Sequence, residues 1–308
     1  MRKWIAIGLL PCLAIAAAGW ILTAPRAVVA SASPTLEQGG DAGRGKLFFD
    51  AGGCASCHAS PGQDDRLKLG GGLELKSPFG SFIAPNISSH PQDGIGGWKV
   101  ADLVNAMQAG VSPSGEHYYP AFPYSTYAHA RVEDIRDLMA YLRTLPPVAE
   151  KAPAHRLAFP FNIRRGLGLW KLASLDPGPL TPDPGRSAEW NRGRYLTEAF
   201  GHCAECHSAR DFKGTILSDY RYAGGPDMEG TDQVPNITQH KDGIADWTAK
   251  DIAWMLKTGD TPEGDVVSGS MKSVVKNMAE LSDADRDAIA AYIKSLPARS
   301  SPPKPAMK

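Results

Sequence analysis

The chain of 308 residues is long enough for two domains of ordinary size. Lys plus Arg and Asp plus Glu number 33 each, and no basic block occurs, which argues against a nucleic-acid partner. Counts of 32 Gly and 25 Pro point to long loops between short elements.

The chain opens with Met1-Arg2-Lys3, then an uncharged stretch from Trp4 to Ala24, then Arg26. As a helix that stretch would span about 30 Å, one bilayer core. Residues 1–30 are therefore read as a transmembrane anchor or a signal helix. A signal peptide would be cut at a small-residue site such as Val28-Val29-Ala30 or Ala30-Ser31-Ala32. The length of the run favours an uncleaved anchor, because the apolar part of a signal peptide runs about 7–15 residues. Either way Arg2 and Lys3 stay inside and the remainder is exported.

Residues 40–148 read as a first small helical domain. It carries Cys54-Ala55-Ser56-Cys57-His58, then Pro85-Asn86-Ile87-Ser88, then Asp93-Gly94-Ile95-Gly96-Gly97-Trp98. Trp98 opens a segment with helical apolar spacing at Leu103, Val104 and Met107. A closing amphipathic helix carries Asp134, Ile135, Leu138, Tyr141 and Leu142, and Leu145-Pro146 stops it. Residues 149–189 form a Pro-rich connector. Its Phe159-Pro160-Phe161-Asn162-Ile163 and Leu167-Gly168-Leu169-Trp170 are too apolar for a solvated tether, so it should pack along one or both domains.

Residues 190–298 repeat the first domain. Cys203-Ala204-Glu205-Cys206-His207 is followed by Pro235-Asn236-Ile237-Thr238 and Asp242-Gly243-Ile244-Ala245-Asp246-Trp247. Two helices follow, marked by Ile252, Met255 and Leu256 and then by Asp285, Ile289, Tyr292 and Ile293, with Leu296-Pro297 as the stop. Residues 299–308 read as a disordered tail.

The paired Cys-x-x-Cys-His motifs define the chemistry. This spacing suits c-type haem: Cys54 and Cys57, and likewise Cys203 and Cys206, would bond covalently to the vinyl groups, while His58 and His207 take the iron. Zinc would want a further Cys or His pair at ligand spacing, and the remaining cysteine, Cys12, lies in the N-terminal apolar run. Thioredoxin-like chemistry would want a βαβ pattern around the motif, and none is visible. The expected cofactors are two covalently bound haem c groups.

What lies opposite each histidine separates an electron carrier from a reactive iron. Met271, in a loop before the last helix, is the expected sixth ligand of the second haem, with Met278 and Met255 as weaker candidates. Counting seven residues from Gly264 reaches Met271, and seven from the equivalent Gly115 reaches Phe122, which cannot ligate iron. For the first haem His117 is the nearest loop candidate, with His129 and Met107 behind it, and an open iron is the alternative. Trp98 and Trp247 read as packing elements whose indoles could reach a propionate. Asn86 and Asn236, each after a proline, read as holding loop backbone.

The segments Gly201-His202-Cys203-Ala204-Glu205-Cys206-His207, Pro85-Asn86-Ile87, Tyr119-Pro120-Ala121-Phe122-Pro123-Tyr124 and Gly269-Ser270-Met271 carry a resemblance. The chain resembles the di-haem cytochromes c related to the cytochrome subunits of bacterial membrane-bound alcohol and gluconate dehydrogenases. That resemblance implies an all-α fold of two tandem class I-type cytochrome c domains. It also implies a periplasmic dehydrogenase as electron donor, with quinone, a soluble cytochrome or an oxidase as acceptor, at the periplasmic side of the bacterial inner membrane. In the resembling family the Gly-Ser-Met segment corresponds to Gly269-Ser270-Met271. An electron-transfer protein or complex subunit is expected rather than a stand-alone enzyme. The rival is a di-haem peroxidase-type enzyme that uses an open first haem.

Overall fold

The computed structural model describes residues 14, 17–30, 34–230 and 232–303. Each half is built around a crossing of its first and last helices. In the first half α1 (Ala42–Ala51) crosses a later helix, α5 (Val132–Leu142). Between them come α2 (Cys54–His58), α3 (Val100–Ala109) and the short α4 (Tyr124–Tyr127). The connector holds α6 (Leu167–Ser174). The second half repeats the order with α7 (Ala188–Tyr195), α8 (Cys203–Cys206), α9 (Ala249–Thr258), α10 (Met271–Met278) and α11 (Asp283–Lys294).

Local chemistry explains these boundaries. Asp41 caps α1 by accepting from the Arg44 amide at 3.0 Å, and Ser282 caps α11 by accepting from the Asp285 amide at 3.1 Å. Thr248 and Asp251 form a capping box on α9. The apolar spacing read from sequence becomes the buried face: Leu103, Val104 and Met107 on α3, and Ile135, Leu138, Met139 and Leu142 on α5. The same face recurs as Ile252 and Leu256 on α9 and Ile289 and Ile293 on α11.

The helix crossings depend on glycine. A Cβ on Gly45 would lie 2.0 Å from the Asp137 carbonyl oxygen of α5, and one on Gly193 would lie 1.8 Å from the Ala288 carbonyl oxygen of α11. Only a missing side chain lets the two backbones approach so closely.

The all-α expectation needs one correction. The long loop after α2 folds into a hairpin of β1 (Glu74–Ser77) and β2 (Gly80–Ile83), paired Glu74 to Ile83 and Ser77 to Gly80. From the connector, β3 (Arg156–Leu157) adds to the free edge of β2. A smaller antiparallel pair, β4 (Gly225–Pro226) and β5 (Gln233–Val234), stands in the second half. The paired segments are two to four residues long, too short for alternation to announce them.

The connector packs on both halves. The Leu180 amide donates to the His129 carbonyl at 3.0 Å, the Trp170 indole to the Lys213 carbonyl at 3.2 Å, and Ser174 and Thr215 share a hydroxyl bond of 2.8 Å. The tail read as disordered is held at its start, where Asn236 Nδ2 donates to the Arg299 carbonyl at 2.8 Å. Most of the Trp4–Ala24 stretch lies outside the described residues, although 17–22 are helical. Among the described residues no helix is long and apolar enough to cross a membrane.

One apolar core runs through both halves. Phe48 of α1 stacks on Phe200 of the second half with ring centroids 4.6 Å apart, and Tyr195 and Phe200 meet edge to face at 5.9 Å. Arg131 donates its amide to the Tyr195 hydroxyl at 2.9 Å, and that hydroxyl also bonds Asp134.

Candidate haem sites

Both motifs are shaped the same way. A left-handed residue, Gly53 (φ 60°) or His202 (φ 38°), turns the chain into a single helical turn, α2 or α8. On that turn the two cysteines stand three residues apart and face the same side. Burial pushes the Cys54 and Cys203 thiols up to about 12. Such thiols stay protonated at neutral pH, which does not suit a redox or nucleophilic cysteine. All four motif cysteines are free of disulfides.

Each histidine is oriented by a proline carbonyl. His58 Nδ1 donates to Pro85 O at 2.8 Å, and His207 Nδ1 donates to Pro235 O at 2.8 Å. A carbonyl oxygen can only accept, so the proton sits on Nδ1 and Nε2 keeps the lone pair that a metal needs. Burial holds both imidazoles below the ordinary histidine range, which keeps them in the neutral, ligating form.

The proline loops are themselves tied down. Asn86 Nδ2 donates to the Val148 and Glu150 carbonyls at 2.8 and 2.7 Å, while its Oδ1 accepts from the Ser88 amide at 2.8 Å. Asn236 does the same with the Arg299 carbonyl and the Thr238 amide, each at 2.8 Å. These contacts agree with the reading of both asparagines as loop-holding residues. Thiol pair, oriented imidazole and clamped carbonyl thus fit a covalently attached haem in each half. When bound, the group supplies a one-electron iron couple.

The loops expected on the far side are in register. Left-handed Gly110 and Gly259 end α3 and α9. The amides of Tyr118 and Val267 donate to those glycine carbonyls at 2.7 and 2.9 Å, and those of Gly115 and Gly264 close matching turns at 2.9 and 3.0 Å. Bridges Val111–His117 and Asp260–Val266 complete the match. This register places Phe122 where the second half has Met271.

The two positions differ in their surroundings. Met271 opens α10, half-buried against the core. Phe122 sits among aromatic rings, 5.6 Å from Tyr127 and 5.8 Å from Tyr118 between centroids.

His117 is held by one ring nitrogen. It is buried, and its Nε2 donates to the Thr23 carbonyl at 2.9 Å, so that nitrogen is not available to iron. Nδ1 has no hydrogen-bond partner and keeps its lone pair, so the expectation of His117 as a ligand rests on that nitrogen. Of the other candidates, Met107 and Met278 are core residues, and His129 Nδ1 bonds the Gly178 carbonyl at 2.9 Å. Trp247 directs its indole N–H at Glu263 at 2.8 Å.

Sequence reasoning missed the groups that join the halves. The variable residues of each motif reach the opposite half. Glu205 of α8 accepts from Ser125 at 2.9 Å and Thr126 at 3.1 Å on α4, and it pairs with Arg210 at 2.6 Å. Despite burial, Arg210 and these donors hold the Glu205 carboxyl below the usual range. Reciprocally, Ser56 of α2 accepts from Asn277 Nδ2 of α10 at 2.7 Å, and Arg66 donates to the same amide's oxygen. His202 Nε2 donates to the Gly52 carbonyl at 3.1 Å. No local pattern signals these pairs, because Ser56 and Asn277 are 221 positions apart. Replacing Asn277 with alanine leaves Ser56 and Arg66 without that partner. It should cost about 2–3 kcal/mol, read as a lower denaturation midpoint and faster proteolysis of the connector.

Comparison with known proteins agrees with this geometry. The family model for cytochrome c matches residues 42–146 and 191–297. A diheme cytochrome c-type protein of Cereibacter sphaeroides is 48% identical over 97% of this chain and 99% of its own length. The fructose dehydrogenase cytochrome subunit of Gluconobacter japonicus is 36% identical over 83% of this chain, which spans 53% of that subunit. The gluconate 2-dehydrogenase cytochrome c subunit of Pantoea cypripedii is 30% identical over 84% of this chain, which spans 60% of it.

Proposed function

Since the chain belongs to the cytochrome c family and binds two haem c groups covalently, we propose that it is an exported, membrane-anchored carrier of single electrons. It takes them from a periplasmic dehydrogenase and passes them to quinone, a cytochrome or an oxidase of the respiratory chain. The observation that carries this reading is the matched pair of sites, with His58 on the Pro85 carbonyl and His207 on the Pro235 carbonyl, in halves sharing one core. Such a frame holds two irons in fixed relation and changes little when an electron arrives. The dehydrogenase donor is supported by relatives that are themselves named as dehydrogenase cytochrome subunits.

The proposed axial set is His58 for the first haem and His207 with Met271 for the second. Phe122 itself offers no ligand to the far side of the first haem. A peroxidase-type site would also need an acid or base beside that position, and the rings against Phe122 are tyrosines, whose hydroxyls are poor proton donors near neutral pH. Tyr118 and Tyr124 are pushed further up by burial.

The anchor is supported by what the segment before residue 30 does. Buried Asn105 accepts from the Val28 and Val29 amides at 2.8 and 3.0 Å and donates to the Val29 carbonyl at 3.0 Å. Together with His117 on Thr23, these bonds would be lost if the leader were cut at Ala30.

Mixing the reduced holoprotein of a quinone-linked sugar or alcohol dehydrogenase with this cytochrome tests the proposal. Both α-bands should appear on the timescale of dehydrogenase turnover; a spectrum that stays oxidised rejects the assignment. In a stepwise reductive titration the Met271-ligated second haem should reduce first, because a thioether raises the potential. Reduction of the first haem ahead of it would reverse the proposed direction of flow.

A further inference from the structure

Among the described residues, one face of the connector is left uncovered. α6 buries Gly168 against Thr23, but its Leu169 and Leu172 are 63% and 64% exposed. Trp20 is 65% exposed and Phe159 78%, with Phe161 and Ile163 open as well. Arg165 lies over the Trp20 ring at 4.0 Å, binding the end of the N-terminal stretch to the start of α6. Large apolar side chains gathered in this way mark an interaction surface rather than scattered surface residues.

The same segment carries charge of one sign. Between Lys151 and Ser174 stand Lys151, Arg156, Arg164, Arg165 and Lys171 with no Asp or Glu, in a chain of formal net charge zero. Arg164 and Arg165 contact rings and carbonyls, and Lys171 donates to the Ala109 and Gly110 carbonyls at 2.6 and 2.7 Å. Among the described residues neither arginine meets a carboxylate, so their charge is left for an external anion, whereas burial pushes the Lys171 ammonium down to about 7. Basic residues beside exposed Leu, Trp and Phe suit an anionic bilayer surface. The location agrees, since Trp20 lies near the end of the bilayer-length apolar run from Trp4 to Ala24.

We propose that α6, the Phe159–Ile163 segment and the end of the N-terminal stretch form a foot that lies among the headgroups of an anionic membrane. The inference rests on the anchored reading above and adds a second contact to it. A single spanning helix leaves the haem domains free to swing, whereas a foot beside it fixes their tilt and height. Lys171 and Arg164 then transmit that attachment to the loop around Phe122, through the Gly110 and His117 carbonyls.

The test uses the full holoprotein in vesicles of mixed phosphatidylcholine and phosphatidylglycerol. A spin label is placed at Leu172→Cys in a Cys12→Ser background, the motif thiols being held in thioether bonds. In floated protein, the label should collide with oxygen in preference to a water-soluble nickel chelate, unlike one at the exposed Asp287→Cys. In the Arg164→Glu/Arg165→Glu variant the anionic-lipid preference of that signal should fall by roughly fivefold per charge reversed. If the protein floats but position 172 is as open to the chelate as 287, the foot is overturned and the face belongs to a protein partner. If the protein does not float at all, both the foot and the anchor are overturned.

Discussion

Replacing Phe122 with methionine is expected to raise the midpoint potential of the first haem by on the order of 0.1–0.2 V, part of the roughly 0.8 V range that axial ligands span. The argument rests on register. The turns at Gly115 and Gly264 and the amide bonds to Gly110 and Gly259 match the two loops as far as Tyr118 and Val267, and the same count from there pairs position 122 with Met271. Methionine is flexible enough to turn its sulfur toward an iron from either loop. Losing the ring contacts with Tyr118 and Tyr127 costs about 1 kcal/mol, small beside the ligand effect. Redox titration monitored in the α-band measures the shift. Carbon monoxide should bind the first haem of the natural protein and not that of Phe122→Met. Met271→Phe should produce the mirror result, a lower potential and a ligand-accessible second haem. An unchanged first potential in Phe122→Met would show that the loop does not face the iron.

Gly193→Ala is expected to destabilise the second half by about 3 kcal/mol. The Cβ it adds falls 1.8 Å from the Ala288 carbonyl oxygen, a backbone atom of α11 that cannot rotate away. The two helices must separate, and separation opens the buried layer formed by Leu196, Ile289, Ala290 and Ile293. Thermal unfolding should shift to lower temperature, with poor recovery of mature holoprotein. Gly45→Ala should act in the same direction on the first half through Asp137. An exposed control, Gly166→Ala, meets nothing within 4 Å and should leave the melt in place.

The features legible in sequence were those written locally. The motifs, their repetition, the apolar faces of α3, α5, α9 and α11 and the packing role of the connector could all be read from spacing within a dozen residues. The β1–β2 hairpin could not, because strands of four residues carry too little alternation and because β3 comes from a connector more than seventy positions later. Sequence shows a histidine, His117, on the loop expected to face the first iron. It does not show Thr23 folding back to accept the proton on Nε2. Seven-residue counting from Gly115 did expose Phe122, since both loops keep the same turn.

The cross-domain bonds bear on how the two halves can change. Duplicated segments ordinarily drift apart freely once each has its own role. Here Ser56 serves Asn277 and Glu205 serves Ser125 and Thr126, so the variable letters of one attachment motif are answerable to the other repeat. A hybrid made by grafting one repeat from a relative would therefore need the matching letters transplanted with it.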